Sequence, residues 1–201
     1  MGYSDYTFEK IREKFGIENR KADFLFEIIP QEPSDFLKEH LRIASTLNLR
    51  SEKARSEAIV FPLLLDVRER NDDFFTIYSG DNLNINKDLR GECDFILAKD
   101  VNSYDIDYPI IQIVEAKKHD IEDLGIPQCA AQLIGAKYFN EKRNVSLGKI
   151  YGCATTGVLW QFLCLENNVI YVDKKQYATS NLPELLGAFQ FIIDYYKREL
   201  K

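Results

Sequence analysis

Glu115 and Lys117 stand two positions apart at the end of a β-branched run, Pro109-Ile110-Ile111-Gln112-Ile113-Val114-Glu115-Ala116-Lys117-Lys118. A strand has a side-chain period of two, so the acid and the amine project to the same face, about 6–7 Å apart at Cα. Ile111 and Ile113 precede them on that face, and Lys118 points to the other. Such a strand leaves the core and delivers a carboxylate and an ammonium to its rim. That arrangement costs desolvation energy unless the two groups have partners, a metal ion or water.

An acid followed by any residue and a lysine is a weak signal by itself. It recurs at Asp173-Lys174-Lys175 and at Glu199-Leu200-Lys201. The last falls on a helix terminus, where a spacing of two separates the side chains. Only Glu115 has an acid on a preceding strand, Asp94 of Gly91-Glu92-Cys93-Asp94-Phe95, twenty-one residues upstream. A hairpin over that span brings Asp94 beside Glu115. Two carboxylates with the carbonyl of residue 116 make a hard, all-oxygen site suited to Mg²⁺, with water filling the remaining positions. A lysine at its edge can orient or activate a water, or neutralise charge developing on a phosphate. The plainer alternative is a solvated rim in which Glu115 pairs with a neighbouring lysine and Asp94 begins a turn.

The charge distribution follows the same stretch. The chain of 201 residues carries a net charge of −6, which argues against a generic polyanion binder. Residues 91–116 hold one basic and six acidic side chains, so most of the excess acid sits where a cation would be needed. Cys93, Cys129, Cys153 and Cys164 form no C-x-x-C pair and read as reduced core residues. Two histidines are too few for a His-built zinc site. No apolar run approaches the roughly 20 residues that span a bilayer, and the first residues lack the basic flank and apolar core of a signal peptide. A cytoplasmic protein with no membrane partner is expected.

The elements that must position these groups read as one domain, residues 1–201. Residues 1–48 are a helical packing extension, with helices near 5–15 and 35–47 and a short apolar run, 22–29, that is strand or irregular. Residues 51–70 form an amphipathic segment that Pro62 should kink or divide. Strands near 74–79, 91–98 and 109–118 suggest an antiparallel meander, with a polar connection over 100–107. A helix follows from Pro127 to Glu141. Its small residues Ala130, Ala131, Gly135 and Ala136 suit close packing on a sheet, and Gln128 and Gln132 lie one turn apart on one face. Strands near 149–154, 158–165 and 169–172 come next, and a helix over 182–200, capped by Ser180 or Asn181, closes the chain. Trp160 alternates with Val158 and Phe162 as a core residue would; stacking on a base is the alternative.

Gly91-Glu92-Cys93-Asp94-Phe95, Glu115-Ala116-Lys117 and the helix opening at Gln128 resemble the PD-(D/E)XK nuclease superfamily. Ala154-Thr155-Thr156-Gly157-Val158-Leu159-Trp160-Gln161-Phe162 is similar to the strand–turn–strand of restriction-subunit-like members. The resemblance covers residues 51–165. It implies an α/β (α+β) fold with a restriction-endonuclease-like core, a central mixed β-sheet flanked by helices. It further implies a Mg²⁺-dependent endonuclease, with Mn²⁺ able to substitute, that hydrolyses phosphodiesters of DNA, RNA being the alternative substrate. Asp94 and Glu115 become metal ligands, Lys117 the water-activating or charge-stabilising residue, and Glu57 an accessory acid near the metal. Gln128 matches the glutamine of a Q-x-x-x-Y motif whose tyrosine position is Gln132 here, so half of that motif is missing. Gln128, Gln132 and Lys118 are candidates for positioning substrate, and Lys118, Lys137, Lys142, Arg143 and Lys149 for meeting phosphates. Residue 93 is Cys, not the Pro of the family's name. A non-catalytic module of the same fold, binding nucleic acid or a protein, is the competing expectation. A homodimer formed through residues 1–48 and the last helix is a further one.

Overall fold

Seven strands of a single sheet carry the chain from residue 18 to residue 178. The computed structural model describes residues 1–99 and 104–200. The strands are β1 (Glu18–Ala22), β2 (Phe75–Asn82), β3 (Glu92–Lys99), β4 (Ile110–Ala116), β5 (Lys149–Thr155), β6 (Leu159–Glu166) and β7 (Val169–Ala178). Their order across the sheet is β1-β7-β6-β5-β4-β3-β2. β1/β7 and β4/β5 are parallel and the other pairs antiparallel. The architecture is therefore mixed α/β, with helices on both faces. The expected meander is present as β2-β3-β4. The polar connection between β3 and β4 lies in part, at residues 100–103, outside the described residues, as does Lys201 of the third acid-x-lysine pattern.

The helices are α1 (Phe8–Phe15), α2 (Asp35–Ala44), α3 (Glu52–Arg55), α4 (Phe61–Glu69), α5 (Ile126–Glu141) and α6 (Leu182–Glu199). Because β4 and β5 are parallel, the chain must cross over between them, and α5 is that crossover. It packs on β4 and β5, with Cys129, Ala130, Leu133 and Ile134 against Ile96, Ile113 and Leu163. The opposite face of the sheet presents Leu97, Val114, Trp160 and Phe162 to Leu63, Leu64 and Val67 of α4 and to Phe189, Ile192 and Ile193 of α6. Both faces are covered, and this is why β4 is buried from Ile110 to Ala116 rather than alternating. All four cysteines are free and buried, and Trp160 is a core residue whose Nε1 donates to Thr179 Oγ1 at 2.9 Å.

Two details depart from the sequence expectation and a third refines it. The segment near Pro62 is divided as expected, into α3 and α4. The chain opens into a π turn over Ser56–Val60, in which Phe61 N–H reaches the Ser56 carbonyl five residues back. A wide turn of this kind accommodates the residue that lacks an N–H. The helix 182–200 begins without a side-chain cap at Asn181. Residues 1–48 are also more than a helical extension. β1 completes one edge of the sheet against β7, and Ile28 and Ile29 lie against Gly187 of α6. Part of the surface of the last helix is thus covered by the segment expected to share a dimer face with it. No helix among the described residues is long and apolar enough to cross a membrane.

The N-terminal turn also fixes α5. Tyr3 is buried with its hydroxyl donating to the Leu83 carbonyl at 2.7 Å, and its ring lies over Gly135 so closely that a Cβ there would overlap the hydroxyl. Gly135→Ala should therefore lower stability by about 1–3 kcal/mol, despite the better helix propensity of alanine. Urea unfolding checks this, and an unchanged midpoint would mean that Tyr3 yields without loss.

Candidate active site

β3 and β4 pair with Phe95 opposite Val114, so the register sets Asp94 beside Glu115 as the two strands near their ends. β4 gives up its ladder one residue later, where Lys117 N–H donates to the Thr155 carbonyl of β5 at 2.7 Å. The Glu115 side chain projects onto the α5 face and is only 2 % exposed. Its two oxygens are both engaged. Lys117 Nζ donates to Oε1 at 2.6 Å, and Gln132 Nε2, from the middle of α5, donates to Oε2 at 2.6 Å. Asp94 Oδ2 accepts the Ala116 N–H at 2.7 Å, so the two carboxylates are locked to the same short piece of β4.

A third acid reaches this group from α3. Ser51 caps α3 by accepting the Ala54 N–H, and Glu52 sits in the first turn. Its Oε2 accepts the Lys118 N–H at 2.9 Å, and its Oε1 lies 3.9 Å from Lys117 Nζ. Arg55 Nη1 donates to the Lys118 carbonyl at 2.8 Å. The segment that follows β4 is thus clamped to α3 through its backbone.

Three carboxylates around one ammonium set the electrostatics. Burial, and then the charge of Asp94, push the Glu115 carboxyl up from its ordinary 4.5 to about 7, against the pull of Lys117 and Gln132. Asp94 is also raised, by burial first, with the Ala116 N–H and Lys117 opposing. Burial works against the charge on Lys117. Glu115, Glu52 and Asp94 outweigh it and hold the amine above its ordinary value. Lys117 is consequently a cation at neutral pH.

The structure brings together Asp94, Glu115, Lys117 and Gln132 from the sequence reading, and it leaves others outside. Glu57 is on the outer side of the π turn, 68 % exposed and 3.8 Å from Lys53. The helix preceding the core does supply an acid, but it is Glu52, five residues earlier. An acid in the first turn of a capped helix reads in sequence as a complement to the helix dipole, so Glu52 carried no distinguishing signal. Gln128 is half-buried and makes no side-chain hydrogen bond among the described residues; Gln132, one turn deeper, holds Glu115. Lys118 contributes through its backbone while its side chain is exposed.

The basic stretch does not form a patch. Lys137 bonds Asn168, Lys142 the Ile85 carbonyl and Lys149 Glu166, and Arg143 lies over the Phe139 ring. At the second acid-x-lysine pattern, Asp173 accepts the N–H groups of Leu25 and Lys175 and ties the N-terminal segment to β7, a structural use.

Asp94 and Glu115 offer hard oxygen donors. Among the described residues no group of three His, Cys, Asp or Glu side chains forms a metal cage. Two carboxylates without a cage fit Mg²⁺, which keeps several waters and binds through one or two carboxylates. They do not fit a closed structural metal site. No protein-family model matches the chain, and no curated protein does either.

The raised pKa of Glu115 has a sign that can be tested. Between pH 4.5 and about 7 the folded chain holds a proton at Glu115 that the unfolded chain releases, so stability falls as pH rises through this window. Glu115→Gln removes the effect. In the presence of a chelator, the variant should gain on the wild type by on the order of 1–3 kcal/mol between pH 4.5 and 7.5. Unfolding curves at each pH measure the difference, and a constant difference would contradict the shift.

Proposed function

We propose that the chain is a Mg²⁺-dependent nuclease on a restriction-endonuclease-like core, hydrolysing phosphodiester bonds of DNA. The observation that carries this reading is the convergence of Asp94, Glu115 and Lys117 at the ends of two paired strands, with Gln132 of the crossover helix on Glu115. The antiparallel meander, the α5 crossover and the β5–β6 hairpin support it, since they supply in order the elements that the sequence resemblance implies.

Asp94 and Glu115 would hold the cation. When bound, it supplies Lewis-acid stabilisation of the phosphate and a water that ionises near neutral pH. The work of the side chains follows from their geometry. Lys117, a cation fixed on Glu115, acts on negative charge that builds on the phosphate oxygens as the attacking water adds. Its raised pKa supports charge stabilisation and orientation of water over proton abstraction. Gln132 holds Glu115 in place from α5. Glu52 steadies the backbone of residue 118 and shares the charge of Lys117.

A second reading has one observation in its favour. Both oxygens of Glu115 are already engaged by Lys117 and Gln132, an arrangement that also suits a non-catalytic module of the same fold. Calorimetric titration with Mn²⁺ separates the two. Binding that Asp94→Ala abolishes supports the nuclease, and no heat at millimolar metal supports the module.

Plasmid nicking with Mg²⁺ or Mn²⁺ tests the activity itself. Asp94→Ala and Lys117→Ala should each lose activity by about 10²-fold or more, and equal activity in all three proteins would remove the assignment. Within the same assay Glu52→Gln should be several-fold slower and Glu57→Gln unaltered. The reverse order would return the accessory role to Glu57.

A further inference from the structure

A row of large apolar side chains stands exposed along one edge of α2 and the turn that follows it. Phe36, Ile43 and Leu47 are 62 %, 49 % and 56 % exposed, and the half-buried His40 continues the row with its ring 5.8 Å from that of Phe36. Steps of four, three and four residues keep the row on one helix edge. The core-facing side of α2 is a different one, carried by Leu37, Leu41 and Ala44. At its Leu47 end the row borders an apolar groove of about 340 Å³, lined by Ile43, Leu47 and Leu49 on one side and by Ala54 and Ala58 of α3 and the π turn on the other. Exposed apolar surface of this kind marks an interaction site.

The occupant that fits is a second copy of this chain. Phe36 projects at one end of the row and the groove opens at the other. Leu47 is eleven residues from Phe36, about 16 Å at 1.5 Å per residue. A two-fold axis through the middle of this span, between Leu41 and Arg42, sets one α2 antiparallel to the other. It brings each Phe36 to the Leu47 end of the other copy, where the groove opens, and each His40 beside the other copy's Ile43. Knob and hole are thus exchanged, as an isologous interface requires. The charges agree with this. Asp35 and Lys38, Glu39 and Arg42, and Lys53 and Glu57 are ion pairs within one copy, so the charges on α2 and on the groove wall cancel. Two chains that each carry a net charge of −6 can meet on this face without local repulsion.

We propose that α2 is the contact of a two-fold dimer of this chain, with Phe36 of each copy seated in the other's groove between α2 and α3. The dimer face expected from residues 1–48 and the last helix narrows to α2, since β1 and residues 28–29 are already used against β7 and α6. The groove wall that receives Phe36 includes α3, whose Glu52 reaches Lys117, so the interface lies one helix from the acidic site. The dimer does not depend on the nuclease reading.

Sedimentation velocity at micromolar protein tests it. The wild type should sediment as a dimer, and Phe36→Glu should raise the dissociation constant about tenfold or more. Phe36 is exposed, and melting curves check that the variant folds. A thiol near the axis reports the alignment. The native cysteines are buried, so under mild oxidation His40→Cys should give a disulfide-linked dimer, and Glu13→Cys on the exposed side of α1 should not. A wild type that stays monomeric at high micromolar concentration overturns the interface and leaves the row to a different partner. A dimer that Phe36→Glu leaves intact overturns it too. So does a dimeric His40→Cys variant that fails to cross-link, or one that cross-links no better than Glu13→Cys.

Discussion

Burying the carboxylate of Glu115 is the constraint on which the site depends. A carboxylate at 2 % exposure is tolerated only when its charge is compensated. Here Lys117 compensates from the same strand face and Gln132 from the helix packed above. Lys117 reaches it because a strand repeats every two residues. Gln132 reaches it because α5 is thin, its alanines and Gly135 letting the helix lie close to β4 and β5. Asp94 then adds a second carboxylate that the fold cannot move away, since its oxygen holds the Ala116 N–H. Burial raises both acids, and the charge of Asp94 adds to the rise at Glu115. A group of this kind is stable as a protonated or lysine-compensated rim, and it is equally a place where a divalent cation would relieve repulsion.

Much of this was legible in the sequence, for physical reasons that differ from residue to residue. Glu115 and Lys117 follow from strand alternation, and Asp94 from the hairpin length. Both are local rules that tertiary structure did not override. The small residues of α5 signalled close packing, and Tyr3 over Gly135 is its most literal form. Glu52 was not legible, because its role depends on where a capped four-residue helix docks against residue 118. Glu57 was expected from the resemblance, yet it lies in the π turn ahead of Pro62, exposed and beside Lys53. Gln128 and Gln132 share a face, and only depth in the fold distinguishes them.

The N-terminal segment illustrates a wider point about edge elements. Residues 18–22 carry no hydrophobic pattern, being exposed at four of five positions, so nothing in their composition announces a strand. Pairing with β7 supplies the backbone hydrogen bonds that create it. Along it Lys21 lies beside Val172 on the α5 face and Arg20 beside Tyr171 on the α6 face.

The central claim is that Asp94 and Glu115 share a divalent cation. Crystals soaked in Mn²⁺ and measured at its absorption edge test it most directly. The account predicts an anomalous peak within about 2.0–2.3 Å of one oxygen from each carboxylate, with Lys117 Nζ drawn away from Glu115. An undisturbed Lys117–Glu115–Gln132 chain and no peak between the two acids would contradict it.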